Sequence, residues 1–551
     1  MALSTQQQAV VDFAVSGEGS LNLVARAGCG KTFTLIETVK AIKVAKPEAE
    51  IALVAYNRSI ANELDLKLKE FGYGNSVKAN TMHSVGNSAI SYFLKTTKGI
   101  QKPIIEAKKV EQIVDQLQAE LIKASMNAGI STDKWQEIQD KIEICQNQKG
   151  FVTKAVSLAK QRAFGVIHPA DQMEKWYELV EHFGLDQDWD ELEMKHSESM
   201  IKLCVVVYNR SLDQVLEGKL DYDDQILAPL FFRAKFWTKH FVLVDEAQDL
   251  NPARRLLAIR MAGKEGRIIC VGDPAQAIYG FTGADSDSMD QMKAAMGSTE
   301  LPLNLTYRCP KSVVAVAQKW VPDFLAHESN PEGLVRSIPM IGLVDEKTGE
   351  KLGADFSDEV LGSTHAILCR NTKPLVELAW TLIRRKVACR VEGRDIGQGL
   401  IQMAKRWKVV KLEAFKNRVT NWCDKEVAKF RAKDREDMIQ SVEDKADTIL
   451  CIVDGLLAEG KHNVSDFETF VTNLFGDTKD GEMQKVLTLS TVHKSKGREW
   501  DRVYWLFPEL CPSKYAKKEW ELAQEKNLCY VCVTRAKLEL VYISGEGKRK
   551  K

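Results

Sequence analysis

The chain contains no run of about 18 apolar residues, so nothing in it reads as a membrane-spanning helix. Its opening, Met1-Ala2-Leu3-Ser4-Thr5-Gln6-Gln7, lacks the basic and then apolar segments of a secretory leader, and an intracellular protein is expected, nuclear if the source is eukaryotic. Charge of one sign is also missing. The 77 Lys and Arg residues stand against 76 Asp and Glu, for a formal net charge of +1. Any nucleic-acid contact must therefore come from a locally basic groove rather than from bulk attraction. There is no internal repeat and no low-complexity tract, which sets aside solenoids and disordered arrays. No nuclease motif is found. The 12 cysteines are scattered, mostly inside apolar runs such as Ile268-Ile269-Cys270-Val271, as buried free thiols of a reducing compartment would be. Cys529 and Cys532 form a C-x-x-C, but within the apolar run 528–533 and without a second ligand pair, so zinc is not expected there.

What is present is ordinary globular material: 551 residues, 44% hydrophobic and 28% charged, enough for about two to four domains. Residues 6–15 have helical spacing, 20–24 form a short apolar strand, 32–45 are helical and 51–56 are another buried strand. Strand–helix–strand order with apolar strands predicts a parallel sheet covered on both faces. From about 89 to 215 the chain is rich in Lys, Glu, Gln and Ala and reads as helical. Strand signals return at 241–244, 267–271 and 366–369. A second helical stretch covers about 399–475, and strands follow at 486–489, 502–506 and 538–543. The pattern is two α/β cores, each interrupted by a mainly helical insert.

Two segments carry chemistry. The first strand runs into Ala25-Arg26-Ala27-Gly28-Cys29-Gly30-Lys31-Thr32, followed by a helix. This is nearly the G-x-x-x-x-G-K-[ST] phosphate loop, with Ala25 in place of the first glycine. Glycines let the backbone turn and aim N–H groups at phosphate oxygens, and the helix N-terminus adds positive potential. Lys31 would reach the outer phosphates and the Thr32 hydroxyl would hold Mg²⁺. The second segment is the strand Phe241-Val242-Leu243-Val244, ending in Asp245-Glu246-Ala247-Gln248-Asp249. Carboxylates at the C-terminal end of a central strand face the crevice where α/β sheets bind ligands. Asp245 can hold Mg²⁺, and Glu246 can orient and deprotonate an attacking water.

Asp-Glu-Ala-Gln-Asp after an apolar strand resembles motif II of superfamily 1 helicases of the UvrD/Rep type. Outside the two helical stretches, the rest of the chain follows that family's motif order. Leu3-Ser4-Thr5-Gln6-Gln7-Gln8-Ala9 resembles the Q motif, which implies that Gln7 reads adenine. Val54-Ala55-Tyr56-Asn57-Arg58-Ser59 resembles motif Ia and Thr81-Met82-His83-Ser84 motif Ib, implying that Tyr56, Asn57, Arg58, Thr81 and His83 line a single-strand path. The segment 271–281 resembles motif III, with Gln276 sensing the γ-phosphate and Tyr279 and Phe281 stacking on bases. Asn304-Leu305-Thr306-Tyr307-Arg308 resembles motif IV, with Tyr307 on adenine and Arg308 at the γ-phosphate. The segment 489–501 resembles motif V, with Thr491 and His493 near DNA and Gly497 and Glu499 at the nucleotide, Glu499 near the ribose. The segment 530–537 resembles motif VI, whose Arg535 also reaches the γ-phosphate. Ala27, Gly28, Cys29, Gly30, Lys31, Thr32 and Phe33 complete the expected nucleotide contacts. In wording, Tyr56-Asn57-Arg58-Ser59-Ile60-Ala61 and Thr491-Val492-His493-Lys494-Ser495-Lys496-Gly497 look most like the shorter branch that includes the F-box DNA helicases, although no F-box segment is present.

The resemblance implies two RecA-like parallel-sheet domains around an ATP cleft, each with a helical insert. Residues 1–88 and 216–303 would form the first domain around an insert at 89–215. Residues 304–393 and 485–551 would form the second around a reduced insert at 394–484. The implied activity is ATP- and Mg²⁺-dependent movement on single-stranded and partly duplex DNA, 3′→5′, by a monomer, in replication, repair or recombination with proteins of those processes. The alternatives are a translocase that strips proteins or remodels recombination intermediates and unwinds little, and a nucleotide-gated binding module. There are departures from the family pattern. Arg26 and Arg498 stand where small and apolar residues are usual, and Thr282 where an arginine is common. Lys405-Arg406-Trp407-Lys408, with Lys411, Lys416 and Arg418, reads equally as a phosphate grip or a solvated helix face. Lys548-Arg549-Lys550-Lys551 reads as a disordered tail.

Overall fold

The computed structural model describes residues 3–55, 58–74, 76–127, 148–186, 189, 194, 196–280, 283–339, 343–344, 351–352, 359, 361–384, 387–432, 436–475, 486–514 and 516–544. They divide into two compact units. The first comprises 1–25, 30–274 and 279–303; the second comprises 304–551 together with the short segments 26–29 and 275–278.

The first unit is built on six parallel strands: β1 Leu21–Ala25, β2 Ile51–Ala55, β3 Lys78–Thr81, β4 Phe241–Val244, β5 Arg267–Gly272 and β6 Thr299–Leu303. Their order across the sheet is β3-β2-β4-β5-β1-β6. Every residue of β2 and β4 is buried, as the unbroken apolar runs require when helices cover both faces. The insert contributes helices Lys109–Asn127, Lys149–Gln161, Met173–Phe183 and Ser197–Leu216. Val156, Trp176 and Tyr208 of these helices belong to the same apolar core as Val54 and Val244 of the sheet. A buried ionic cluster joins the insert to the chain that re-enters the sheet. Lys160 Nζ lies 2.7 Å from both Ser211 Oγ and Asp224 Oδ1, and Lys109 pairs with Asp224 and donates to the Ser211 carbonyl at 2.8 Å. Buried ammonium groups are tolerable only with such partners.

Helix Met82–Lys98 passes helix Asp224–Phe231 at close range. A Cβ on Gly86 would fall 1.9 Å from the Gln225 carbonyl oxygen, a backbone atom with no rotamer to move. Gly86→Ala is therefore expected to destabilise the first unit by about 1–3 kcal/mol. Calorimetry should show a lowered transition, and an unchanged one would mean that the two helices are not in contact here.

The second unit repeats the plan with β7 Leu334–Pro339, β8 His365–Cys369, β9 Cys389–Val391, β10 Leu487–Thr491, β11 Trp500–Leu506 and β12 Ala536–Ser544. All are parallel, in the order β7-β12-β11-β8-β10-β9. Among the described residues, its insert comprises the helices Arg394–Trp407, Leu412–Ala432, Glu436–Ala458 and Val464–Phe475. Their Phe415, Ile449 and Phe467 share a core with Ile367 and Leu489. This is the two-sheet, RecA-like α/β architecture that the motif resemblance implies. The eight interior strands are the eight that the apolar pattern predicts. Within these two six-stranded sheets, the four strands without a signal, β3, β6, β7 and β9, are the edges. An edge strand is covered on fewer sides, so its sequence can be polar or hold a proline, as Lys78-Ala79-Asn80-Thr81 and Pro302 do.

Candidate functional site

In the first sheet β4, β5 and β1 are neighbours and parallel, so the segments after them emerge at one edge. After β1 comes the phosphate loop. Gly30, at φ +78°, is the residue before the 15-residue helix Lys31–Ala45, and no side chain caps that helix. Glycine suits this left-handed position, and the N-terminus of a helix is a favourable place for an anion. After β4 come Asp245 and Glu246. Lys31 Nζ lies 3.4 Å from Glu246 Oε1 and 3.5 Å from Oε2. Glu246 has φ +53°, rare for a residue with a side chain, and its N–H donates to Asp245 Oδ1 at 2.9 Å. The Gln248 amide donates to Glu246 Oε2 and accepts from the Asp273 N–H at 3.0 Å. Gln248 thus ties the end of β4 to the end of β5. It was not among the residues singled out, although it stands two places after Glu246 in the acidic segment. Gly272 leaves room for this tie, because a Cβ there would be 2.4 Å from Gln248 Oε1.

Asp245 is buried, and its pKa is raised from the ordinary 3.8 to about 7, first by burial and then by Glu246, against the opposing pull of Lys31. An acid raised on folding costs stability when ionised. The cost is absent below about pH 4, grows through the interval up to 7 and is complete above it. In metal-free buffer, Asp245→Asn should therefore raise the melting temperature at pH 8 and leave it nearly unchanged near pH 4. An equal shift at both pH values would show that the carboxylate is not held at this raised pKa.

Of the other expected contacts in this unit, Gln7 is buried beneath the loop, its Nε2 about 3.0 Å from where a Gly30 Cβ would stand. Its Oε1 accepts from the Ser4 N–H at 3.0 Å in a helix-capping pair. The Thr81 hydroxyl likewise caps helix Met82–Lys98, accepting from the Ser84 N–H at 3.2 Å. Burial, with Arg254 adding to it, pushes His83 down to about 4, so it is a neutral group at physiological pH. Arg58 is exposed at the start of helix Arg58–Glu70, and Tyr279 is half-buried. Thr32 and Phe33 lie in the first turn after Gly30. Tyr56, Asn57 and Phe281 lie outside the described residues, as do Thr282 and the basic tail.

The second unit holds the remaining candidates. Arg535 is only 1% exposed. Its guanidinium donates to the carbonyls of Val531 and Arg498, both at 3.0 Å, and lies 3.4 Å from Gln276 Oε1. Lys496 and Asn527, which the motif reading did not single out, donate to the carbonyls of Gln276 and Ala277 at 2.7 and 2.9 Å. The Tyr530 hydroxyl accepts from the Ala27 N–H at 3.0 Å, and the Gly28 carbonyl accepts from the Tyr307 N–H at 3.0 Å. Cys29 is buried beside Ala27. Arg26 forks onto Asp323 through Nε at 3.2 Å and a terminal nitrogen at 2.9 Å, which accounts for a large residue at that loop position. Arg308 pairs with Glu499. Tyr307 is exposed, its ring 4.8 Å from that of His327. A Cβ on Gly497, at φ +84°, would meet none of the described residues within 4 Å. Thr491 precedes the short helix Val492–Ser495, and burial with nearby Arg370 pushes His493 down to about 3, so it too is neutral. The basic stretch is partly neutralised, Lys416 by Asp454 at 2.6 Å and Lys405 by Glu468 at 3.8 Å.

Residues 3–296 match the UvrD/REP helicase N-terminal domain, and residues 395–546 the UvrD-like helicase C-terminal domain. The chain belongs to the UvrD/REP helicase family. It is 23% identical to the F-box DNA helicase protein 1 of Schizosaccharomyces pombe over 577 aligned positions, covering 98% of this chain and 57% of that protein. With DNA helicase IV of Escherichia coli it shares 25% identity over 63% of this chain and 50% of the relative. With the S. pombe ATP-dependent DNA helicase srs2 it shares 26% over 54% and 32% respectively. The chain thus spans about half the length, or less, of these UvrD/REP relatives.

Proposed function

We propose that this chain is an ATP-driven motor on single-stranded DNA that moves 3′→5′ and opens duplexes. The observation that carries the reading is the meeting of Lys31 with Glu246 at 3.4 Å, beside Asp245, at one edge of a parallel sheet. Lys31 and the loop N–H groups would bind the phosphates. The Thr32 hydroxyl and the Asp245 carboxylate offer the hard oxygen donors that Mg²⁺ prefers, and Mg²⁺ would neutralise phosphate charge. Glu246 would orient water and take its proton, with Gln248 fixing the carboxylate. Gln276, Arg308 and Arg535 would contact the γ-phosphate, and Gln7 and Tyr307 the adenine. Gly497 and Glu499 would lie along the nucleotide. Arg58, Thr81, His83, Tyr279, Thr491 and His493, with Tyr56, Asn57 and Phe281, would follow the strand. Since His83 and His493 are neutral, they would serve as hydrogen-bonding or stacking groups rather than as phosphate cations.

Steady-state ATP hydrolysis is expected to rise severalfold or more when single-stranded DNA is added. Equal rates with and without DNA would sink the motor reading. Thr282, where the family pattern often has an arginine, favours a second reading, a translocase that unwinds poorly. Strand displacement on a 3′-tailed duplex separates the two.

A further inference from the structure

We propose that Cys511 and Cys529 form a peroxide-sensitive thiol pair that slows ATP turnover when oxidised; the regulatory half rests on the motor reading above. The two sulfurs lie 3.4 Å apart, both as free thiols. Cys511 ends the turn Pro508–Leu510, and Cys529 sits in helix Glu519–Val533. The Glu525 carboxylate is 3.9 Å from the Cys511 sulfur, which disfavours a thiolate there. The thiol–thiol contact, burial and Glu525 all hold Cys511 protonated; the same contact lowers the pKa of Cys529, outweighing burial and Glu525, which raise it, and so makes Cys529 the better nucleophile of the buried pair.

With hydrogen peroxide as oxidant, the Cys529 thiolate attacks one peroxide oxygen, the O–O bond breaks, and a sulfenic acid forms as hydroxide leaves and becomes water. The Cys511 sulfur then attacks the sulfenic sulfur, the S–O bond breaks, and a second water leaves with the Cys511 proton. Two thiols and one peroxide thus yield one disulfide and two waters. Closing from 3.4 Å to a bond of about 2.05 Å shortens the sulfur–sulfur distance by roughly 1.3 Å, which side-chain rotation and movement of the helix against the turn must share. The same helix carries Tyr530, whose hydroxyl holds the Ala27 N–H, and Asn527, which holds the Ala277 carbonyl; Arg535 follows it by two residues. A shift on the order of 1 Å in such positioning groups can cost up to about 100-fold in rate.

The test treats the reduced full chain with hydrogen peroxide, blocks free thiols, digests with trypsin and maps disulfides by mass spectrometry without reduction. The expected product joins peptides 503–514 and 527–535. It should persist in Cys532→Ser and be absent from Cys511→Ser and Cys529→Ser. DNA-stimulated hydrolysis should fall about tenfold on oxidation, recover with dithiothreitol, and stay unchanged by peroxide in Cys511→Ser. A missing cross-link in protein with a native circular dichroism spectrum overturns the pair, as does a cross-link that needs Cys532. A cross-link without loss of hydrolysis overturns its regulatory role. If reduced protein shows no DNA-stimulated hydrolysis, the motor reading falls and the regulatory role with it, while the cross-link still decides the pair.

Discussion

Glu246→Gln is expected to lower DNA-stimulated ATP hydrolysis by roughly 100- to 10,000-fold, the usual span for loss of a general base. Glutamine keeps the shape and can still meet Gln248, but it cannot take a proton from water. It also removes the charge 3.4 Å from Lys31, so one fewer protein carboxylate competes with phosphate for the ammonium. Nucleotide binding, read with a fluorescent ATP analogue, should be retained or tightened. The pairing of those two results is what identifies a base, since a misfolded phosphate loop would lose both. A variant still turning over within tenfold of the parent would place the base elsewhere.

Arg535→Ala is the second large effect. A guanidinium that stabilises charge on a transferring phosphoryl group is worth about 10³–10⁵ in kcat, and a loss of that order is expected. Arg535 is also buried, and alanine would remove a donor from the Arg498 carbonyl and one of the two from that of Val531, which the Thr534 hydroxyl also serves, so a stability loss accompanies the change. Arg535→Lys separates the two causes. It keeps a charge and fills most of the volume, but it cannot form the planar fork that serves the two carbonyls and Gln276 together. Both variants should lose kcat while a folded fraction, followed by calorimetry, still binds nucleotide. If kcat per folded molecule stays near the parent value, Arg535 is a structural residue of the second unit and not a catalytic one.

The two expectations draw on different kinds of legibility. The phosphate loop and the acidic strand end could be read from the chain because each is local: a glycine-rich turn before a helix, and carboxylates at the end of four apolar residues. Their partners could not. Gln248 closes the link between β4 and β5 only because those strands are neighbours, and its place two residues after Glu246 does not announce its partner at Asp273. The motif resemblance assigns Arg308 and Glu499 separate contacts to a nucleotide, yet they pair with one another. Gln7 and Thr81 were read for their side chains' reach toward ligands, and both also spend an oxygen on capping a helix. The charge state of His83 and His493 is set by burial, which no spacing rule reports.

By itself the sequence determined the eight interior strands, the helical character of both inserts, and the residue types at the phosphate loop and the acidic turn. These follow from short-range pattern: alternation or continuity of apolar residues, and glycines where the backbone must turn left-handed. The tertiary structure decided the strand order, the four edge strands, the partner of each charged group and which titratable groups stay neutral. Lys31 and Glu246 are 215 residues apart in the chain, and only the packing of β4, β5 and β1 side by side brings them together. Pairings of that span depend on which apolar surfaces bury one another, a property of the whole core rather than of any window along the chain.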